Sequence, residues 1–232
     1  EKTGRERERE KGRKEREREV GTSAMWMSVL NVVAVGLTVG MFGSDVKLFQ
    51  EIRYRGNTGE TSYVPYILML GNCMTWLMYG AFKGDMAVIV TNVLGVSLAS
   101  FYMVTYLSNC PFPIRDELKQ RIALVLGGDG LLFFYVFFVA ASGQEDILGV
   151  VCNGLSIFMF GSQLSQLNRV RELRNTSPLS LPLSVMALLT SSAWVIYGSI
   201  EGDVWIVFPN FIGSILTIAT LALFVIYPRG QK

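Results

Sequence analysis

Apolar stretches of about 20 residues recur along this chain, and no other feature restricts its fold as strongly. They lie near 24–42, 64–82, 86–107, 121–141, 147–167, 182–200 and 204–227. At about 1.5 Å per residue, each is long enough to cross roughly 30 Å of hydrocarbon as a helix. Backbone polar groups cannot stay unpaired in lipid, so helices rather than strands are expected. The connections are short and rich in turn formers: Gly56-Asn57-Thr58-Gly59, Pro111-Phe112-Pro113 and Asn175-Thr176-Ser177-Pro178. The expected fold is an all-α membrane protein with seven transmembrane helices.

The charge distribution excludes several functions. Of 21 Lys and Arg and 19 Asp and Glu, nine basic residues and seven Glu crowd into residues 1–19. The remainder is too apolar for an ordinary soluble domain, which makes a soluble α/β enzyme the wrong class. Basic and acidic residues alternate in the leading run, so it creates little field for nucleic acid or an anionic membrane. Residues 1–23 are expected to be a solvated, weakly helical or disordered tail. They lack the short apolar core of a signal peptide, and Met25 or Met27 is the expected natural start. Three widely spaced cysteines, Cys73, Cys110 and Cys152, make neither a disulfide framework nor a zinc site, and the absence of His removes the usual triads and proton switches. No enzyme, cofactor or metal is expected.

Shifted by 118 residues, the sequence matches itself without a gap. MFGS at 41–44 recurs at 159–162, Trp76-x-x-Tyr79-Gly80 at Trp194-x-x-Tyr197-Gly198, Gly84-Asp85 at Gly202-Asp203, and Asn92-x-x-Gly95 at Asn210-x-x-Gly213. Between positions 30 and 98 there are 22 identities in 69. The matches include Trp, Asn, Asp and Arg, so shared apolar composition does not account for them. Each repeat holds three spans, and span 4 lies between them. One extra crossing gives the two triplets the same orientation, so the plan is 3+1+3 with parallel repeats about an axis along the membrane normal. The expected division is 24–107 for the first repeat, 108–145 for the linker helix, 146–228 for the second repeat and 229–232 for a cytoplasmic tail.

Helical spacing places side chains on the axis. Asn72, Trp76 and Tyr79 share one face of span 2, and Thr190, Trp194 and Tyr197 share the matching face of span 6. Asn92 lies on a face of small residues in span 3, and Asn210 does so in span 7. Each Asn offers a carbonyl acceptor and an NH₂ donor, the complement of a hydroxyl pair. Trp76 and Trp194 offer flat apolar faces for the C–H face of a sugar ring. Alternatively the Asn pair is interhelical glue and the Trp pair interface anchors. Asp129, in Gly127-Gly128-Asp129-Gly130, lies eight residues into span 4, where a charge costs about 2.5–3.5 kcal/mol on insertion scales. Arg121 pairing, a protonated state, an oligomer contact and proton coupling all remain open for it.

Taken together, the 3+1+3 plan, Pro65-Tyr66 opening span 2, the two Trp-x-x-Tyr-Gly ends and Pro209-Asn210-x-x-Gly213 resemble the SWEET sugar transporters, closest to the animal type, over about residues 28–228. The resemblance implies facilitated, alternating-access transport of mono- or disaccharides, with a glucose-like sugar and the lipid bilayer as partners. It further implies homo-oligomers and residence in the plasma membrane or Golgi. Asn92 and Asn210 match the family's pocket asparagines and Trp194 its stacking tryptophan. Trp76 stands where plant members carry a small polar residue, which narrows the pocket toward monosaccharides. Pro65 and Pro182 match family hinge prolines, whereas Asp45 and Gln163 stand where two further hinge prolines would be. Tyr79 and Tyr197, at the exterior ends of spans 2 and 6, are the outer-gate residues on this reading. The competing readings are a proton-coupled amino-acid carrier of the Pro-Gln-loop group, a seven-helix receptor and a non-transporting scaffold.

Lys and Arg set the expected orientation. Lys47, Arg53, Arg55, Arg115, Lys119, Arg121, Arg169, Arg171, Arg174, Arg229 and Lys232 fall on one side, against Lys83 in the opposite loops. The carboxyl end is therefore expected in the cytoplasm, although the basic residues of the tail argue the other way. Asn175-Thr176-Ser177 is a glycosylation acceptor on the cytoplasmic side of this topology, so it stays unmodified. An endoglycosidase-sensitive mass shift that disappears in Asn175→Gln would reverse the topology.

Overall fold

The computed structural model describes residues 4–177 and 179–227, without the side chains of 4–11, 14–24, 162, 163 and 166. Among the described residues there are eight α-helices: α1 Gly4–Phe42, α2 Val46–Arg55, α3 Val64–Lys83, α4 Met86–Asn109, α5 Phe112–Phe134, α6 Gln144–Leu173, α7 Leu181–Glu201 and α8 Val204–Ile226. Seven are long and α2 is short. By length and apolarity alone, five stretches of the described residues can cross a membrane: Met25–Arg55, Met86–Asn109, Phe112–Val139, Leu181–Glu201 and Val204–Ile226. The other two long helices, α3 and α6, carry Asn72, Thr75, Asn153 and Ser156, which turn toward other helices and bond there.

Two boundaries differ from the sequence expectation. The charged segment is continuous with the first span, because α1 is helical from Gly4. Glu, Arg and Lys are all good helix formers, so the run continues the helix of the first span. The connection after span 1 holds α2, whose Phe49 and Ile52 are buried one turn apart. Span 4 begins nine residues early, at Phe112, with Pro113 in its first turn, where a missing N–H costs nothing. It ends in a π-helical turn, Tyr135–Val139.

Two triplets form the body. In the first, α4 packs between α1 and α3; in the second, α8 packs between α6 and α7. The triplets meet through α3 against α6 and α1 against α7. Each of these contacts is the other shifted by one repeat, so the halves are related by a pseudo-two-fold axis, as parallel repeats require. Helix α5 leans on α3, where Thr75 Oγ1 donates to Asp129 Oδ1 at 3.0 Å.

The Gly-Asp repeat motif builds both helical hairpins. Gly84 and Gly202 each take φ 69°, the left-handed conformation that ends α3 and α7. The next residue starts the following helix: Asp85 Oδ1 accepts from Ala87 N and Val88 N, and Asp203 Oδ1 from Trp205 N and Ile206 N. Gly80 and Gly198 let the two helices close up. A Cβ at Gly80 would lie 2.9 Å from Val88, and one at Gly198 would lie 3.0 Å from Ile206.

The repeats differ at the opposite end. In the first, Phe49 packs against Tyr66 and Tyr102, with ring centroids 4.7 and 4.4 Å away. Tyr66 donates to Asp45, Tyr102 to the Phe42 carbonyl and Tyr106 to the Thr61 carbonyl. The counterparts one repeat later are Leu167, Ser184, Thr220 and Phe224, which cannot build this cluster. The chain therefore bends at residues 43–45 in the first repeat, while α6 runs unbroken to Leu173.

Candidate functional site

A cavity of about 350 Å³ lies between the triplets, and Trp76, Asn92, Trp194 and Asn210 all line it. The pairing seen in the sequence is thus a pairing in space. The asparagines are held alike. Asn92 Nδ2 donates to the Val88 carbonyl and Asn210 Nδ2 to the Ile206 carbonyl, each at 2.8 Å. One N–H of each amide is tied to its own helix, which leaves the other N–H and the carbonyl oxygen for a guest.

The indoles are fixed from across the axis. Trp194 Nε1 donates to Thr38 Oγ1 at 2.8 Å and Trp76 Nε1 to Ser156 Oγ at 3.3 Å. Thr38 and Ser156 are themselves 118 residues apart, so each repeat orients the other's tryptophan. Ser156 also donates to Asn72 Oδ1 at 3.1 Å. Tyr79 and Tyr197 meet Trp76 and Trp194 edge-on, both at 5.4 Å between ring centroids. Each indole therefore spends its donor inside the protein, and what it offers a guest is an apolar face.

The same exchange joins the triplets at the Gly84–Gly202 end. Tyr79 donates to Asp203 Oδ2 at 2.6 Å and Tyr197 to Asp85 Oδ2 at 2.8 Å. One oxygen of each Asp caps a helix and the other accepts from the opposite repeat. Lys83 adds an ion pair to Glu145 at 2.7 Å and lies 3.5 Å from Asp203. Sequence reasoning saw both aspartates only as repeat markers. The signal was present, because a Tyr followed five residues later by a Gly-Asp turn occurs in both halves.

Other expected residues fall elsewhere. Pro65 and Pro182 occupy the first turns of α3 and α7, so they set where those helices begin. Asp45 accepts from Tyr66 at 2.9 Å, tying the bend after α1 to the start of α3. The side chain of Gln163 lies outside the described residues. Asp129 does not line the central cavity. It borders an apolar groove of about 430 Å³ with Met74, Leu77 and Phe133, among others. Arg121, one of its expected partners, instead pairs with Glu117 at 2.7 Å.

Asn153 escaped the sequence reading altogether, and its part follows from Pro209. Pro209, inside α8, has no N–H, so the Trp205 carbonyl four residues earlier loses its helical donor. Asn153 of α6 replaces it, with Nδ2 3.1 Å from that carbonyl. The first repeat has Val35 and Thr91 at the matching positions, and there Thr91 Oγ1 bonds the Ala87 carbonyl from within α4. Asn153 thus steadies the proline break next to Asn210. Asn153→Val should lower thermal stability in detergent by several degrees, on the order of one buried hydrogen bond. Adding Pro209→Thr returns the N–H and should recover most of that loss. A double variant no more stable than Asn153→Val alone contradicts the assignment.

Comparison with known proteins agrees with this architecture. A family profile described as "Sugar efflux transporter for intercellular exchange" matches twice, over residues 28–111 and 146–232, one match for each triplet. Sugar transporter SWEET1 of Caenorhabditis elegans is 35% identical over 206 residues, covering 89% of this chain and 67% of the relative. Sugar transporter SWEET1 of Homo sapiens is 31% identical, covering 88% of this chain and 92% of the relative. A solved eukaryotic SWEET transporter superposes with a TM-score of 0.81 at 25% identity, covering 86% of this chain and 95% of that one. These matches favour neither an amino-acid carrier, a receptor nor a scaffold, and they place the chain among transporters rather than enzymes. With both triplets matched by one profile and its helices superposed on a solved relative, the chain belongs to the SWEET family.

Proposed function

We propose that this protein moves a glucose-like sugar down its gradient by alternating access, without an ion or nucleotide as driver. The observation that carries this reading is the central cavity, where two amides and two indoles converge from repeats that brace each other. The amide groups match a hydroxyl pair on the sugar, and the indole faces cover its C–H surface. Relatives named sugar transporters support the same substrate class. At about 350 Å³ the cavity lies at the small end of ligand pockets, which favours a monosaccharide over a disaccharide.

The orientation proposed puts the Gly84–Gly202 end outside and the carboxyl end in the cytoplasm, following the excess of Lys and Arg at the other end. On this view the structure is closed to the exterior by the two Tyr–Asp bonds. Opening outward breaks both bonds and lets the triplets rock about the cavity. Asp129 takes a structural part, tying α5 to α3 through Thr75, and no proton step enters the cycle. Residence in the plasma membrane or Golgi and assembly into homo-oligomers rest on the family resemblance.

Two experiments test the reading. Asn92→Ala and Asn210→Ala should each abolish uptake of radiolabelled glucose into liposomes holding as much protein as the wild type; normal uptake by both removes the assigned site. For the gate, Tyr79→Phe combined with Tyr197→Phe removes two closing hydrogen bonds. A Thr91→Cys probe in the cavity should then react roughly tenfold faster with an impermeant maleimide applied outside. An unchanged labelling rate means that these tyrosines do not hold the gate.

A further inference from the structure

All but four of the residues lining the central cavity pair across the 118-residue repeat. The four are Ala187, Ser191, Gly213 and Thr217, all on α7 and α8. Their first-repeat counterparts, Met69, Cys73, Gly95 and Ala99, are shut away from it. Packing shows why. A Cβ built on Gly95 would lie 2.6 Å from Cys73 Sγ and 2.9 Å from Phe42 Cε2. Cys73 and Ala99 are 1% and 0% exposed. On the other side, a Cβ on Gly213 would lie 3.4 Å from Phe160 Cζ and 4.0 Å from Ser191 Cβ. Phe160 stands back where Phe42 presses in, and the cavity continues along the second repeat only.

That extension carries hydroxyls. Ser191 donates to the Leu188 carbonyl at 3.2 Å and Thr217 to the Gly213 carbonyl at 2.8 Å, while Ser214 donates to Ser191 Oγ at 2.9 Å. Within lipid, each hydroxyl proton must be satisfied by the protein; those of Ser191 and Thr217 go to their own helices, and Ser191 Oγ also accepts from Ser214. What remains toward the cavity is oxygen lone pairs, which accept from a sugar hydroxyl. A thiol and a methyl at the matching positions, Cys73 and Ala99, offer far less. Thr217 lies seven residues beyond Asn210 on the same helix face, about 10 Å further from the Tyr–Asp closure.

We propose a second sugar subsite, formed by Ser191 and Thr217 on the α7–α8 face, that receives the sugar on its way to the cytoplasm. It rests on the reading of the protein as a sugar carrier with its carboxyl end inside. The halves of the molecule therefore have unequal work: both grip the sugar at the centre, and one guides it out.

The test measures influx and efflux of radiolabelled glucose in the same cells. Thr217→Val should raise the half-saturating concentration measured from the cytoplasmic side roughly five- to tenfold. The exterior value should move by less than about twofold, and Thr217→Ser should behave as wild type. Ser191→Cys, which installs the side chain that the first repeat already packs at this depth, gives the same reading should Thr217→Val not reach the membrane. An unchanged cytoplasmic value, or an equal rise on both sides, overturns the subsite. If Asn210→Ala blocks flux while Thr217→Val and Ser191→Cys move neither side, the central site stands and the second subsite falls. Normal flux in both Asn92→Ala and Asn210→Ala removes both.

Discussion

Hydrocarbon supplies no hydrogen-bond partner, and most of the architecture follows from how this chain meets that condition. Its polar side chains bond to their own helix, to a neighbouring helix or across the axis to the other repeat. Thr38 and Ser156 take the indole N–H groups of the opposite half, and Asp85 and Asp203 take its tyrosine hydroxyls. These four bonds join the triplets on two levels, one beside the cavity and one above it. They are also few enough to break together. Two packed halves linked by a small set of polar bonds suit the proposed rocking about the cavity.

The aspartates show how tightly local and global structure are joined. Each sits between a left-handed glycine and a new helix, where an N-cap is needed for local reasons. Capping uses one carboxylate oxygen and aims the other at the opposite repeat. A single residue thereby fixes the hairpin, the start of the next helix and the contact across the axis.

Symmetry does not extend to the end away from Gly84 and Gly202. The first repeat is locked there by α2 and the cluster of Phe49, Tyr66 and Tyr102, with Asp45 bonded to Tyr66. The second repeat lacks these side chains. It has instead hydroxyls along the cavity wall, at Ser191 and Thr217. One half is packed as a brace and the other leaves a hydroxyl-bearing wall open to the cavity, although both follow one repeat pattern.

Much of this was legible before any coordinates. Span lengths and apolarity give the membrane-crossing helices, the 118-residue repeat gives parallel triplets, and helical spacing puts Trp76, Trp194, Asn92 and Asn210 on inward faces, because these features depend on neighbours within a helix or on the bilayer's thickness. What lay beyond the sequence depends on which helix meets which. That Tyr79 bonds Asp203 rather than Asp85, that Asn153 rescues a carbonyl freed by Pro209 on another helix, and that Phe160 stands back where Phe42 presses in are all contacts between distant segments. Periodicity fixes the face a side chain occupies. Only packing decides what stands opposite it, because that depends on how the helices pair in three dimensions.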